Sequence, residues 1–343
     1  MKNFFTAAVL ENIKKPLRIV RNIKIPKIKK NQVLVKMYYS AVCGSQLFEI
    51  DGQRGKDHYL PHMLGHEGTG KIIKMNSKNS NLKVNDLVFV SWISNKKIKN
   101  EGINFKYPNK NKIINAGPVT TFSNYTVVSI NKVYKLPSQI GLPEGVLLGC
   151  ALPTGAGMVF NQSNNLTKKN VLVIGAGGVG LSSILALKIK KTKKIFVYEK
   201  NKKKILFLKK YIKGIFFFNK INDIYKKKIN FDYVYECSGL AINIEHGFKL
   251  LKNNGVCIFS SHPKFKDKIS FNPHEFIRGK KIEGSWGGQI NFKKDLKKLA
   301  KLINKFKFIK KIYFKKIYPL SKINNAISDF KNGKNIRTLI KLS

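Results

Sequence analysis

This 343-residue sequence is short of several things, and each shortage excludes something. It has four cysteines, at positions 43, 150, 237 and 257, with irregular spacing. A disulfide framework is therefore excluded, and a reducing compartment, the cytoplasm, is expected. Acidic residues are scarce: 18 Asp and Glu stand against 66 Lys and Arg, for a formal net charge of +48. Arginine is scarcer still, only five of those 66, at positions 18, 21, 54, 278 and 337. Proteins that grip phosphates or base edges bidentately favour Arg over Lys. The lysines also recur along most of the chain beside Asn, Ile and Phe, so the charge reads as a compositional bias spread over solvated faces. No specific nucleic-acid partner is expected. A binder of nucleic acid or of another anionic surface is the rival reading from a different functional class. Long apolar runs are also missing. The nearest, Val171–Leu187, contains GAGGVG, and no transmembrane helix is predicted. The N-terminal run Phe4–Leu10 has one Lys before it, Glu11 directly after it and no convincing cleavage site, so it reads as a first β-strand rather than a signal peptide.

What is present suffices for two domains. Apolar residues make up 43% and aromatics 11% of the chain, enough for substantial cores. Residues 31–42, 70–75, 86–93 and 124–137 are β-rich runs bounded by Gly, Pro and Asn, which predicts an all-β domain with long loops over 1–150. From Val171 the texture changes to strands alternating with helices: VLVI (171–174), KIFVYE (194–199), GIFFF, FDYVYECSG and GVCIFSS. Such alternation predicts a parallel, doubly wound α/β sheet. An amphipathic helix follows around 293–306, and the final strand RTLIKL has no neighbour in the α/β region, so it is expected back in the first domain.

The turn after VLVI carries a dinucleotide fingerprint. Gly175, Gly177 and Gly180 form G-x-G-x-x-G between strand and helix, with Gly178 and Val179 completing the loop. The first Gly permits the tight turn, the second lets backbone approach a pyrophosphate, and the third lets helix and strand pack closely. The helix N-terminus then faces the phosphates. Glu199 ends the next strand, where a carboxylate accepts hydrogen bonds from ribose hydroxyls and repels a 2′-phosphate. That favours NAD over NADP, although Lys200 and Lys202–Lys204 could attract a phosphate.

The stretch PHMLGHEGTG (61–70) sets one of only six histidines directly before a glutamate, between glycines. His66, with Cys43 after a strand and Cys150 at the end of the β-domain, would make a good zinc set with one position open. Each is ambiguous alone, since a buried Cys is usually an inert small hydrophobe and the spacing is not that of a zinc finger. Cys237 and Cys257 read as buried strand cysteines.

The series GHEGTG, GPVTTFSNYTVVS, LLGCALPTG, VLVIGAGGVG, FDYVYECSG, GSWGG and NGKNIRTLIKL resembles, in order and nearly end to end, the zinc-dependent medium-chain alcohol dehydrogenases, near the class III (glutathione-dependent formaldehyde dehydrogenase) branch. The resemblance implies a GroES-like β-rich catalytic domain over 1–151 and 287–343 and a Rossmann NAD-binding domain over 152–286. It implies catalytic zinc on Cys43, His66 and Cys150, with Glu67 able to enter the coordination sphere, and glycines that let this loop approach the metal. Ser45 matches the hydroxyl residue that takes the substrate proton. Thr154 matches a residue that positions the nicotinamide, Lys204 one near the adenosine ribose, and Arg337 a pyrophosphate-binding arginine. A small-molecule alcohol or carbonyl substrate and a homodimer or homotetramer are further implications. The expected reaction is hydride transfer between an alcohol and NAD, with aldehyde or keto-sugar reduction as the alternative.

Four departures from the family qualify this. The region 93–117 lacks the four cysteines of a structural zinc, so one zinc per chain is expected. Gln46 stands where relatives have an Asp behind the zinc histidine, which leaves a metal with less negative charge and makes it a stronger Lewis acid. Phe48 replaces a relay histidine, and Gly44 replaces a basic residue. The loop 49–62 is polar, and Arg54, Asp57, His58 and His62 are candidates for the substrate entrance, which would suit a polyol, sugar or anion; a plain solvated loop is the alternative.

Overall fold

A computed structural model describes residues 3–77, 81–94 and 102–343. The chain divides into two compact units, Met1–Cys150 with Ile303–Ser343, and Ala151–Leu302. Among the described residues no single helix is long and apolar enough to cross a membrane.

The first unit is built on two sheets. The smaller has strand order Arg18–Lys24, Phe4–Leu10, His62–Met63, Ile113–Ala116 and Ile103–Lys106. Its own core includes Phe5, Val9, Ile23, Phe105 and Ile114. The larger sheet centres on Gln32–Val42, whose alternating pattern buries Val33, Val35 and Met37. That strand pairs antiparallel with Glu67–Asn76 along one edge. Tyr125–Ser129 pairs with its N-terminal half and Thr338–Lys341 with its C-terminal half. RTLIKL thus returns to the first unit as expected. Between Val42 and the polar loop the chain forms a short helix, Gly44–Ile50. Of the segment 93–117, residues 95–101 lie outside the described residues, and 103–116 forms the hairpin just named.

The second unit is a six-stranded parallel sheet in the order Phe216–Phe218, Lys194–Tyr198, Asn170–Ile174, Phe231–Glu236, Leu251–Phe259 and Lys281–Gly284. The fully buried run Val171–Ile174 occupies a central strand, as an unbroken apolar segment should in a sheet covered on both faces. Helix Gly178–Ile189 leaves it and buries Leu181 through Leu187. The expected domain boundary at 286/287 and this division at 302/303 differ by one short turn and most of one helix. The reason lies in two glycines: a Cβ at Gly157 would stand 2.4 Å from the Gly288 carbonyl oxygen, so the turn Gly287–Gln289 packs directly on helix Ala151–Asn161. Asn161 also donates to Gly288 O at 3.2 Å.

Candidate active site and metal centre

Three chain segments converge in the first unit. Strand Gln32–Val42 ends at Cys43, which caps helix Gly44–Ile50. His66 directly precedes strand Glu67–Asn76. Cys150 stands between the 3-10 turn Val146–Gly149 and helix Ala151–Asn161. One ligand atom each from Cys43, His66, Glu67 and Cys150 lies within 4.8 Å of all the others. The two sulfurs are 3.9 Å apart. Tetrahedral zinc with bonds of about 2.3 Å to sulfur requires about 3.8 Å between the two thiolates. His66 Nδ1 is engaged by Gln46 at 2.5 Å, whereas its buried Nε2 has no hydrogen-bond partner. A soft donor set with an orphaned imidazole nitrogen fits zinc.

The charges around this cluster are arranged as a metal site requires. Arg337 and Glu67 are buried to 2% and 0% side-chain exposure, with Nη1 to Oε1 at 3.5 Å, and Arg337 also donates to the Val42 carbonyl at 3.1 Å. The Cys43 thiol is held well below its ordinary range, first by its hydrogen bond with Cys150, then by the charge of Arg337 and the contact with His66. The same thiol–thiol bond pushes Cys150 up, and burial adds to it. Burial opposes a charge on His66, but the neighbouring Cys43 sulfur and the charge of Glu67 outweigh it and raise the imidazole. The surroundings thus favour the thiolate at Cys43, the form in which a cysteine binds a metal.

The glycines of GHEGTG also make close approaches within the protein. Gly65 has φ +91°, and a Cβ there would stand 2.5 Å from Thr121 Oγ1 and 2.8 Å from the Phe122 nitrogen. It seats the loop against residues 121–122 rather than against a ligand atom. The close approach on the ligand side is made by Gly149, whose Cβ would meet Glu67 Cβ and the Val90 carbonyl oxygen, each at 2.6 Å. Ser40 Oγ donates to the Glu67 carbonyl at 2.8 Å and Ser91 Oγ to that of Gly149 at 2.7 Å, so the backbone on both sides of the cluster is pinned.

Ser45 lies two residues beyond Cys43, and its buried Oγ has no hydrogen-bond partner among the described residues. A cavity of about 850 Å³ opens beside Gln46 and His66 and runs past Glu49, Arg54, Asp57 and His62. Arg54 pairs with Glu49 at 2.6 Å and His62 with Asp57 at 2.8 Å. Of the four polar residues expected at the entrance, three line this cavity and His58 does not.

In the second unit Gly175 turns at φ +87°, and a Cβ on Gly180 would lie 1.8 Å from the Gly175 carbonyl oxygen. Helix and turn therefore touch backbone to backbone. Gly178 and Val179 begin the helix, and nothing lies within 4 Å of a Cβ at Gly177, an open cradle that fits a pyrophosphate. Glu199 accepts from the Ala176 N–H at 3.0 Å, the Asn201 N–H at 3.0 Å and Lys204 Nζ at 2.9 Å. It ties the end of its strand to the glycine turn. Thr154 is buried, and its Oγ1 has no partner among the described residues.

Comparison with known proteins follows the same division. Residues 29–138 match the family described as alcohol dehydrogenase GroES-like domain, and residues 178–305 match the zinc-binding dehydrogenase family. The chain belongs to the medium-chain alcohol dehydrogenase family. It is 26% identical to alcohol dehydrogenase 6 of Peromyscus maniculatus, over 97% of this chain and 96% of that one. Identity to the S-(hydroxymethyl)glutathione dehydrogenase of Saccharomyces cerevisiae is 25%, over 98% and 95%. Its fold matches that of benzyl alcohol dehydrogenase from Acinetobacter calcoaceticus with a TM-score of 0.84, at 23% identity and with both chains fully covered. The family makes this chain a zinc-dependent oxidoreductase with the GroES-like and Rossmann pair of domains.

Within that family frame, the structure brings Cys43, His66, Glu67, Cys150 and Arg337 together in the first unit and Gly175, Gly177, Gly180, Glu199 and Lys204 in the second. Arg337 pairs with Glu67, an engagement that leaves no mark in the sequence. Cys257 is a buried strand residue as expected, whereas Cys237 lies one residue past the strand Phe231–Glu236 and is half-buried; burial pushes both thiols up, which suits inert cysteines. Glu236 was missed. It is fully buried, accepts from the Ser238 N–H at 2.7 Å and from the hydroxyls of Ser238 and Ser261. Its signal was an acidic residue at the C-terminal end of a buried parallel strand.

Proposed function

We propose that this chain transfers a hydride reversibly between a hydroxyl-rich alcohol, of the polyol or sugar type, and NAD, with one zinc per chain. The observation that carries the proposal is the convergence of the Cys43, His66 and Cys150 ligand atoms from three separate segments. Zinc, when bound, supplies Lewis acidity to a substrate oxygen; a nicotinamide, when bound, supplies the hydride acceptor.

The chain's own residues do the rest. Cys43, His66 and Cys150 would hold the metal, and Glu67, kept in place by Arg337, would be its exchangeable carboxylate ligand. Ser45 Oγ takes the proton of the substrate hydroxyl, which its lack of any competing partner favours. Phe48 carries no proton, so the relay leaves Ser45 by a route other than position 48. Thr154 Oγ1 is free to hold the nicotinamide carboxamide. Glu199 keeps acceptor capacity for ribose hydroxyls, and Lys204 is already committed to it, which supports NAD over NADP. One of the second unit's two edge strands, Lys281–Gly284, could pair with a second copy, in keeping with a homodimer. A cytoplasmic, reducing setting suits a site whose two thiols must stay unoxidised.

Elemental analysis of the purified chain tests the metal: one zinc per chain is expected, and none after zinc supplementation would remove the proposal. The substrate class rests on the cavity, whose wall is formed by the Arg54–Glu49 and His62–Asp57 pairs and by carboxamides. With Lys56 beside them, such a wall offers several hydrogen-bond donors and acceptors to a hydroxyl-rich substrate. Arg54→Ala is expected to raise KM for polyols roughly tenfold while leaving simple alkyl alcohols unaffected, an effect the size of one lost hydrogen bond to a charged group. Equal changes for both substrate classes would refute it. Reduction of an aldehyde or keto sugar is the same reaction run in reverse, and the cofactor ratio decides between them.

A further inference from the structure

Gln46 is 1% exposed, and its carboxamide bridges two residues of the cluster. The Cys43 N–H donates to Oε1 at 2.7 Å, and Nε2 lies 2.5 Å from His66 Nδ1. A backbone N–H can only donate. The carboxamide oxygen therefore faces Cys43, and the amide nitrogen, itself only a donor, faces His66. His66 Nδ1 must then hold a lone pair, and the neutral imidazole carries its proton on Nε2. That is the buried nitrogen with no hydrogen-bond partner, the one left over for the metal cluster.

We infer that Gln46 is a positioning residue that holds His66 in the tautomer opposed to metal loading, so that this site grips zinc more loosely than the same ligands would with a carboxylate behind them. The inference rests on the reading that Cys43, His66 and Cys150 take zinc. Zinc at Nε2 needs the lone pair on that atom, which moves the imidazole proton to Nδ1. There it meets the amide hydrogens of Gln46. Turning the carboxamide over relieves that contact and sets the amide hydrogens against the Cys43 N–H instead. In either arrangement one buried donor loses its acceptor. A carboxylate of the same size accepts from both sides at once. The consequence is a metal that exchanges, loaded or lost with its supply, on a scaffold otherwise built to hold it.

Gln46→Glu changes one donor group into an acceptor at nearly constant volume. Zinc affinity of the unaltered chain and of Gln46→Glu is measured by competition with a chromophoric chelator at fixed pH, and the variant is expected to bind roughly 10–100-fold more tightly, the usual weight of an outer-shell acceptor. Nitrogen-15 NMR of the metal-free chain, with His66 assigned through a His66→Gln control, reads the tautomer directly. Nδ1 is expected unprotonated in the unaltered chain and protonated in Gln46→Glu. The first of these readings needs no folded Gln46→Glu variant. A protonated Nδ1 in the unaltered metal-free chain, or equal zinc affinities, overturns the inference and leaves the zinc reading standing. Zinc binding by neither protein overturns both.

Discussion

Replacing Cys150 with Ala is expected to abolish zinc binding and turnover together. The metal content should fall from one per chain to near zero, and kcat by on the order of a thousandfold or more, since the Lewis acid supplies several kcal/mol of the barrier lowering. The fold should survive. Cys150 is buried at a turn rather than in the middle of an apolar cluster, and Ala fills most of its space. Circular dichroism and elemental analysis on one preparation check both points. A variant that keeps one zinc, or that turns over at the parent rate, sinks the assignment of Cys150 as a ligand.

The second large effect concerns stability. Arg337 is fully buried, and burial alone would pull its guanidinium down, but the charges of Cys43, Glu67 and Cys150 more than offset this and raise it. Arg337→Met leaves Glu67 and the Cys43 sulfur without their cation in a dry environment. Breaking a buried pair from one side costs about 3–5 kcal/mol, and for a unit of this size the melting temperature should fall by roughly 10 °C. Arg337→Met combined with Glu67→Gln removes both charges and should recover part of the loss. A single variant that melts within about 2 °C of the parent would show that the pair contributes little. So would a double variant that melts lower than the single one.

How much of this was legible in the sequence depends on how local the signal is. Val171–Ile174, the glycine turn and Glu199 lie within one βαβ stretch, where each residue's role follows from its neighbours. That unit could be read directly. The metal ligands could not be assembled that way. Cys43 and His66 meet because Ser40 pairs with Gly68 across the larger sheet, and Cys150 joins them because Gly149 has no side chain to hold it off Glu67. Those are facts of register and packing, and only resemblance to a family pointed to them beforehand. The short helix Gly44–Ile50 spans only seven residues, too few for a helical periodicity to stand out. The orientation of Gln46, on which the tautomer of His66 turns, follows from a single backbone N–H and leaves no mark in the sequence. The turn at Gly287–Gln289 joins the second unit because two glycine backbones touch, a contact far apart in sequence.

The return of Thr338–Lys341 to the strand Gln32–Val42 has a consequence for the order in which the molecule is made. A ribosome delivers all of 151–302 before it delivers 303–343, and domains fold as units during synthesis. The nucleotide-binding unit can thus be complete while the larger sheet of the first unit still lacks an edge and Glu67 still lacks Arg337. The cation that offsets the buried charge of Glu67 is thus read only after the whole second unit.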